Sequence, residues 1–241
     1  MYNKTTYTTN QLKEFVKRHP MLVKFYRYIH NGKIFKTSYK KSIKGRENKL
    51  RIDNSALFVE CKFDIKGNNN ELIIKNTTLF KNVTFYIRGN NNKILISNNV
   101  QFIFGGSLWI EDENCEINIG ENTTFENVHI AVTEPNSKII IGNNCMFAYD
   151  IDLRTGDSHS IIDIVTNKRI NYAQDIKIGN HVWIAAHVSV LKGVNILSNS
   201  IVATRSVLTK KFNKENVLIG GTPAKIIKEN ITWDRKRIYE S

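Results

Sequence analysis

Cysteine is scarce in this chain: three residues, Cys61, Cys115 and Cys145, among 241. No two stand in a CxxC spacing and the count is odd, which argues against a disulfide framework, and no metal partners stand nearby, so no metal is expected. A reducing, cytoplasmic setting is the expectation. Long apolar runs are missing too. Nothing approaches the roughly 18 residues that a membrane span needs, and the start of the chain lacks the apolar core of a signal peptide, so a soluble protein is expected. Negative charge is the third shortage. Asp and Glu total 22 against 35 Lys and Arg, a formal net charge of +13. That excess implies a polyanionic partner: a phosphate-bearing cofactor, an acidic glycan, a lipid surface or a nucleic acid.

What is present is a period. From Ile178 to Leu208 an aliphatic residue stands at every sixth position: Ile178, Ile184, Val190, Ile196, Val202 and Leu208. Six fits neither an α-helix nor a lone hairpin, but it suits a three-sided solenoid in which each side turns one residue to the axis. Residues eighteen apart then stack, Ile178 over Ile196 and Val190 over Leu208. Upstream the coil is longer. Ile52, Ile74, Ile96, Ile119 and Ile141 repeat at 22, 22, 23 and 22 residues, and Phe58, Phe80, Phe102, Phe125 and Phe147 keep the same steps. The surplus falls on KGNNNE from Lys66, RGNNNK from Arg88, EDENCE from Glu111 and TEPNSK from Thr133. These turn-forming clusters read as small loops extruded from one corner, unable to fill a core. Cys145 takes the slot of Thr123 one coil earlier, a small buried residue rather than a nucleophile.

The step from Ile141 to Ile178 is 37 residues, one coil plus an excursion placed at 158–172. His159 stands at its root in a DxH setting, and a loop leaving a rigid scaffold is a usual place for chemistry. The expected organisation is an all-β chain: 1–47, an N-terminal helical cap with helices over residues 9–31 divided at Pro20; 48–212, the β-helix; 213–241, a C-terminal segment forming a tail or short helix that leads back along the coils. The basic, aromatic run at 24–28 caps the solenoid end or contacts an anionic membrane peripherally.

The stretch IGNHVWIAAHVSVLKGVNILSNSIVATRSVLTK from Ile178, followed by GGTPAK from Gly220, closely resembles the left-handed β-helix (hexapeptide-repeat) acyltransferases. With RTGDSHSIID from Arg154 supplying the family's histidine, it resembles especially the branch that O-acetylates capsular polysaccharide, sialic acid or lipopolysaccharide sugars. The match covers about residues 150–229. The resemblance implies left-handed winding, a homotrimer with sites between subunits, acetyl-CoA as donor and a carbohydrate acceptor.

A sugar hydroxyl is a poor nucleophile at neutral pH, so the reaction needs a base, and the resemblance assigns it to His159. Asp157 orients the imidazole or the acceptor, or is only a turn residue. The resemblance makes Trp183 a wall for the thioester and acceptor, with surface packing in the trimer as the alternative, and Arg154 with Lys168 would favour an acidic sugar. Small residues at the turns, Ala185, Ala186 and Ala203 with Thr204, suit the pantetheine arm. Arg205, Lys210 and Lys225 are phosphate candidates, and Pro223 stiffens the turn near the adenine. The chain departs from the family at Ala185, Ala203 and Arg205, where Gly is common. His181 and His187 are equivalent in successive hexads, which predicts corners or outer faces. N-acetylation of an amino sugar nucleotide or a small xenobiotic would use the same groove and base. A scaffold or basic binding module is the non-enzymatic alternative. Nucleic-acid binding is disfavoured because it would give the DxH loop no purpose.

Overall fold

A computed structural model describes residues 37–239, and within them the chain is a parallel β-solenoid without α-helix. The expected helices at 9–31 lie outside the described residues. Three sides are distinguishable by what they turn inward. The isoleucine side stacks Lys49–Ile52, Glu71–Ile74, Lys93–Ile96, Glu116–Ile119, Lys138–Ile141, Ile176–Ile178 and Asn195–Ile196. Its register pairs Ile52 with Ile74, Ile74 with Ile96, Ile96 with Ile119, Ile119 with Ile141 and Ile141 with Ile178. On the phenylalanine side, Phe58, Phe80, Phe102, Phe125 and Phe147 pair in turn, and Phe147 then meets Ile184. Both ladders are buried along their length from Phe58 and Ile74 onward. The hexad stacks Ile178–Ile196, Ile184–Val202 and Val190–Leu208 are in the expected register.

The surplus residues of the long coils are not extruded loops. They lengthen the third side, from two-residue strands such as Ser189–Val190 to six-residue strands such as Cys61–Lys66 and Val83–Arg88, and several of the added residues are core. Phe63, Ile65, Phe85, Ile87, Leu108 and Ile110 are all fully buried on this broad side. The Asn clusters then close its corner from inside. Asn70 and Asn92 are only 2% and 1% exposed. Asn70 Nδ2 donates to the Gly89 carbonyl at 3.0 Å, and Asn92 N donates to Asn70 Oδ1 at 3.0 Å. An amide side chain can enter a core when its donors and acceptor are all spoken for by the coils on either side, which is what the repeat arranges. Gly67 and Gly89 sit at φ +132° and +119°, and a Cβ on Gly67 would lie 1.8 Å from the Gly89 carbonyl oxygen. The single 23-residue step is a bulge, where Phe102 to Gly105 opposes Phe125 to Asn127.

The solenoid also extends beyond the expected 48–212. Tyr39–Lys44 pairs in parallel with Cys61–Lys66, and Val217–Gly221 with Ile201–Val202. The first strand gives no alternation to read, since among the described residues Tyr39, Lys40, Lys41, Ser42 and Lys44 are all exposed; the last is hidden because Val202 to Ile219 spans 17 residues, off the period of six. Ala224–Glu229 is a strand antiparallel to Val217–Gly221, not a helix. The tail does lead back along the coils. Trp233 Nε1 donates to the His181 carbonyl at 2.8 Å, and Arg235 reaches Thr124 Oγ1 and the Cys145 carbonyl, each at 2.8 Å.

Candidate active site

The excursion leaves the broad side after Ile151–Arg154 and rejoins the isoleucine side at Ile176–Ile178, so it springs from one corner of the triangle. Its tip is a short antiparallel pair, Ile162–Asp163 with Lys168–Arg169. Ile164 and Val165 at that tip are 95% and 89% exposed. His159 is exposed at the root, and among the described residues its ring has no hydrogen-bond partner. Its backbone, by contrast, is fixed. The His159 amide donates to the Asp157 carbonyl at 2.8 Å, and Asn171 Nδ2 donates to the His159 carbonyl at 2.7 Å.

Asn171 is the centre of this root and is buried. Its Nδ2 also donates to Asp157 Oδ2 at 2.8 Å, while its Oδ1 accepts from the Ile161 amide at 2.7 Å and from Arg169 Nε at 3.1 Å. Lys192, one coil on, pairs with Asp157 and donates to the Asn171 carbonyl at 3.2 Å. Arg169 pairs with Glu134, one coil back. The root of the excursion is thus stapled to coils on either side. The Lys192 ammonium, helped by the Asn171 amide, holds the Asp157 carboxyl below the usual carboxylate range. Asp157 therefore spends its side chain on Lys192 and Asn171; the structure records no contact with the imidazole.

The other expected residues separate into groups. Ala185, Ala186, Ala203, Thr204, Arg205 and Pro223 lie on the corner between the phenylalanine and broad sides. There the Ala186 carbonyl accepts from Arg205 N at 3.0 Å and from Thr204 Oγ1 at 2.8 Å, and the Arg205 carbonyl accepts from Thr222 Oγ1 at 3.3 Å. Arg205 occupies this corner at φ +57°, exposed and without a carboxylate partner among the described residues. Lys225 follows on the antiparallel strand, opposite Gly220. Lys210 is at the other corner, just past Val207–Leu208 and above Leu191 and Lys192. Trp183 projects from the phenylalanine side, with Trp233 of the tail 6.2 Å away. Arg154 is exposed at the end of its strand and gripped by Asp152, through Nε at 2.6 Å and Nη2 at 2.9 Å.

Both expected corner histidines are at corners with left-handed backbone, His181 at φ 54° and His187 at φ 60°. His187 carries more than the hexad pattern indicated: its Nδ1 is 2.6 Å from Asp150 Oδ2 and its Nε2 is 2.9 Å from the Tyr149 hydroxyl. Sequence reasoning also missed Asn171, Glu134 and Arg169, most of whose partners are 10 to 39 residues away and carry no local signature. The cysteines are buried, and burial pushes the Cys115 and Cys145 thiols up to about 11, so neither is a thiolate near neutral pH. Among the described residues no group of three or more His, Cys, Asp and Glu could hold a metal ion.

No family model matches the chain. A stretch of 83 residues is 41% identical to the polysialic acid O-acetyltransferase of Escherichia coli O1:K1 / APEC, spanning 34% of this chain and 27% of that protein. Another, of 90 residues, is 36% identical to the polysialic acid O-acetyltransferase of Neisseria meningitidis, spanning 37% of this chain and 42% of that one. In sequence, then, less than half of each of these relatives is matched. In structure the likeness is wider. The polysialic acid O-acetyltransferase OatWY superposes with a TM-score of 0.79 at 35% identity, over 85% of this chain and 94% of that one. The polysialic-acid-specific acetyltransferase NeuO superposes with a TM-score of 0.75 at 34% identity, over 85% of both chains. The chain belongs to the family of hexapeptide-repeat, left-handed β-helix acetyltransferases that contains the polysialic acid O-acetyltransferases.

Proposed function

We propose that this protein transfers an acetyl group from acetyl-CoA to a hydroxyl of an acidic cell-surface glycan of the polysialic acid class, with His159 as general base. The observation that carries this reading is the exposed imidazole of His159, without a hydrogen-bond partner among the described residues, on a backbone stapled by Asn171, in a chain that superposes on OatWY over nearly all of that protein's length. Acetyl-CoA supplies the acyl group as an activated thioester. The chain fits such a donor at the corner of Ala185, Ala186 and Ala203, where small side chains admit a slender arm close to the backbone. Arg205 and Lys225 stand exposed beside it for the phosphates. His159 accepts the hydroxyl proton while the sugar oxygen bonds to the acyl carbon, and returns a proton to the sulfur as the carbon–sulfur bond breaks.

Two features support a homotrimer with its sites between copies. Within one chain His159 and Trp183 leave from different parts of the triangle, so a second copy is what would bring a tryptophan wall to the histidine. The apolar hairpin tip, with Ile164 and Val165 almost fully exposed, suits burial against a neighbouring solenoid. A cytoplasmic location and a peripheral membrane contact through the basic N-terminal segment complete the proposal.

The test is acetyl transfer from acetyl-CoA to a panel of polysialic acid, neutral glycans and amino sugars, read as mass gain, with mild alkali to separate esters from amides. Alkali-labile gain on polysialic acid is the expected result. Gain confined to amines would overturn the reading in favour of N-acetylation.

A further inference from the structure

On the broad side the outward residues fall into rows, because strands stack in register and alternate residues face outward. One row runs Asp64, Tyr86, Trp109, Ala131, Arg154. Its large members are packed together at the upstream end. Tyr86 and Trp109 stack at 3.6 Å between centroids and 15° between planes, and the Arg88 guanidinium lies over the Tyr86 ring at 3.8 Å. The next position holds only a methyl group, Ala131, and the one after it holds Arg154. With strands roughly 4.8 Å apart, the backbone positions of Trp109 and Arg154 are about 10 Å apart, with Ala131 between them. A ring in van der Waals contact needs roughly 3.5–4 Å on each side, which is what that backbone spacing provides.

This gap is a cavity of about 240 Å³ lined by Trp109, Glu111, His129, Ala131, Thr133 and Arg154, and closed at its far end by Gly156 and Ser158 of the excursion root. It therefore opens beside His159. Three further observations point to a polar, ring-shaped ligand. Thr133 Oγ1 is buried and has no hydrogen-bond partner among the described residues. Asp152 uses Nε and Nη2 of Arg154, which fixes the guanidinium and leaves Nη1 for another acceptor. His129 bonds Ser107 Oγ through Nδ1 at 3.1 Å, and burial holds its imidazole below the usual range, so at neutral pH it is a hydrogen-bonding wall rather than a cation. Along the same side the outward cations Lys40, Lys44, Lys62, Lys66, Arg88 and Arg154 outnumber the carboxylates Asp64, Glu111 and Asp152.

We propose that the slot between Trp109 and Arg154 is a subsite for one carboxylate-bearing sugar of the acceptor: its ring stacks on the free face of Trp109, its carboxylate takes Arg154 Nη1, and a hydroxyl takes Thr133 Oγ1. The polymer then continues upstream over the lysines. This rests on the proposed function for the identity of the acceptor, not for the existence of the slot.

The experiment separates the two. Binding of a sialic acid oligomer is measured by titration calorimetry without acetyl-CoA, and acetyl transfer is measured in parallel, for the wild type, Ala131→Leu, Trp109→Ala and Trp109→Phe. Ala131→Leu fills the slot without touching either wall. Expected is oligomer binding weakened about tenfold by Ala131→Leu and Trp109→Ala, largely restored in Trp109→Phe, with KM for acetyl-CoA unchanged. Wild-type binding by Ala131→Leu overturns the subsite even if transfer proceeds. Slot-dependent binding without any transfer upholds the subsite and sinks the acetyltransferase reading. Equal slot-dependent binding of a neutral oligosaccharide overturns the role given to Arg154.

Discussion

Two kinds of coil are joined end to end here. The upstream coils close around rings: Phe58, Phe80, Phe102, Phe125 and Phe147 stack with successive centroid separations of 5.2, 5.4, 4.4 and 4.6 Å. The last coils put Ile184 and Val202 in the same column. Four extra residues per turn widen the cross-section, and a wider cross-section packs to crystal-like density only if larger side chains fill it. The widening also leaves three outward positions per strand on the broad side where the hexad coils leave one. So the wide coils have surface for a sugar, while the narrow coils have tight corners of small residues, suited to the close approach of a thin cofactor arm. Both kinds meet at the excursion that carries His159.

That contrast can be broken at several points. The largest effect is expected from Phe102→Ala, which empties the wide core and costs about 3–5 kcal/mol, against about 0.5–1.5 kcal/mol for Ile196→Val in the narrow coils. Thermal unfolding of the two variants checks it, and equal losses would mean that the ring column is not what holds the wide coils. Lys192→Met removes the staple between the excursion and the next coil; kcat should fall roughly tenfold or more as His159 loses its placement, with KM for acetyl-CoA unchanged. Asn92→Ala deletes a buried rung of the corner ladder and leaves the Asp112 carbonyl and the Cys115 amide without it, costing about 1–3 kcal/mol in chemical denaturation. The smallest effect is in pH. Asp157 is depressed in the folded chain, so its contribution is complete above the ordinary carboxylate range of about 4 and is lost only as pH falls through the lower folded value. The protection of the excursion-root amides, taken relative to the intrinsic exchange rate at each pH, should therefore stay flat from pH 8 to about 5 and fall only on further acidification.

The ladders were legible in the sequence because they obey a rule of single residues: one inward side chain per side, repeated. Ile178 to Leu208 needs no partner to announce it. The broad side was misread for a physical reason. Asn and Gly are usually turn formers, and nothing in KGNNNE says that its last Asn will be satisfied by the next coil and buried. The root of the excursion was half legible. His159 stood out by its setting, and the staple did not, since Asn171, Lys192, Arg169 and Glu134 meet only after the chain has wound past itself. The slot beside Trp109 was invisible for a related cause: its defining residue is Ala131, a side chain that is too small to fill the row.

The most direct measurement is the turnover of His159→Ala at saturating acceptor and acetyl-CoA, with its thermal midpoint and acetyl-CoA affinity recorded alongside. The account predicts a loss of about 10² to 10⁴ in kcat with midpoint and affinity unchanged. A folded variant that acetylates at the wild-type rate would contradict it.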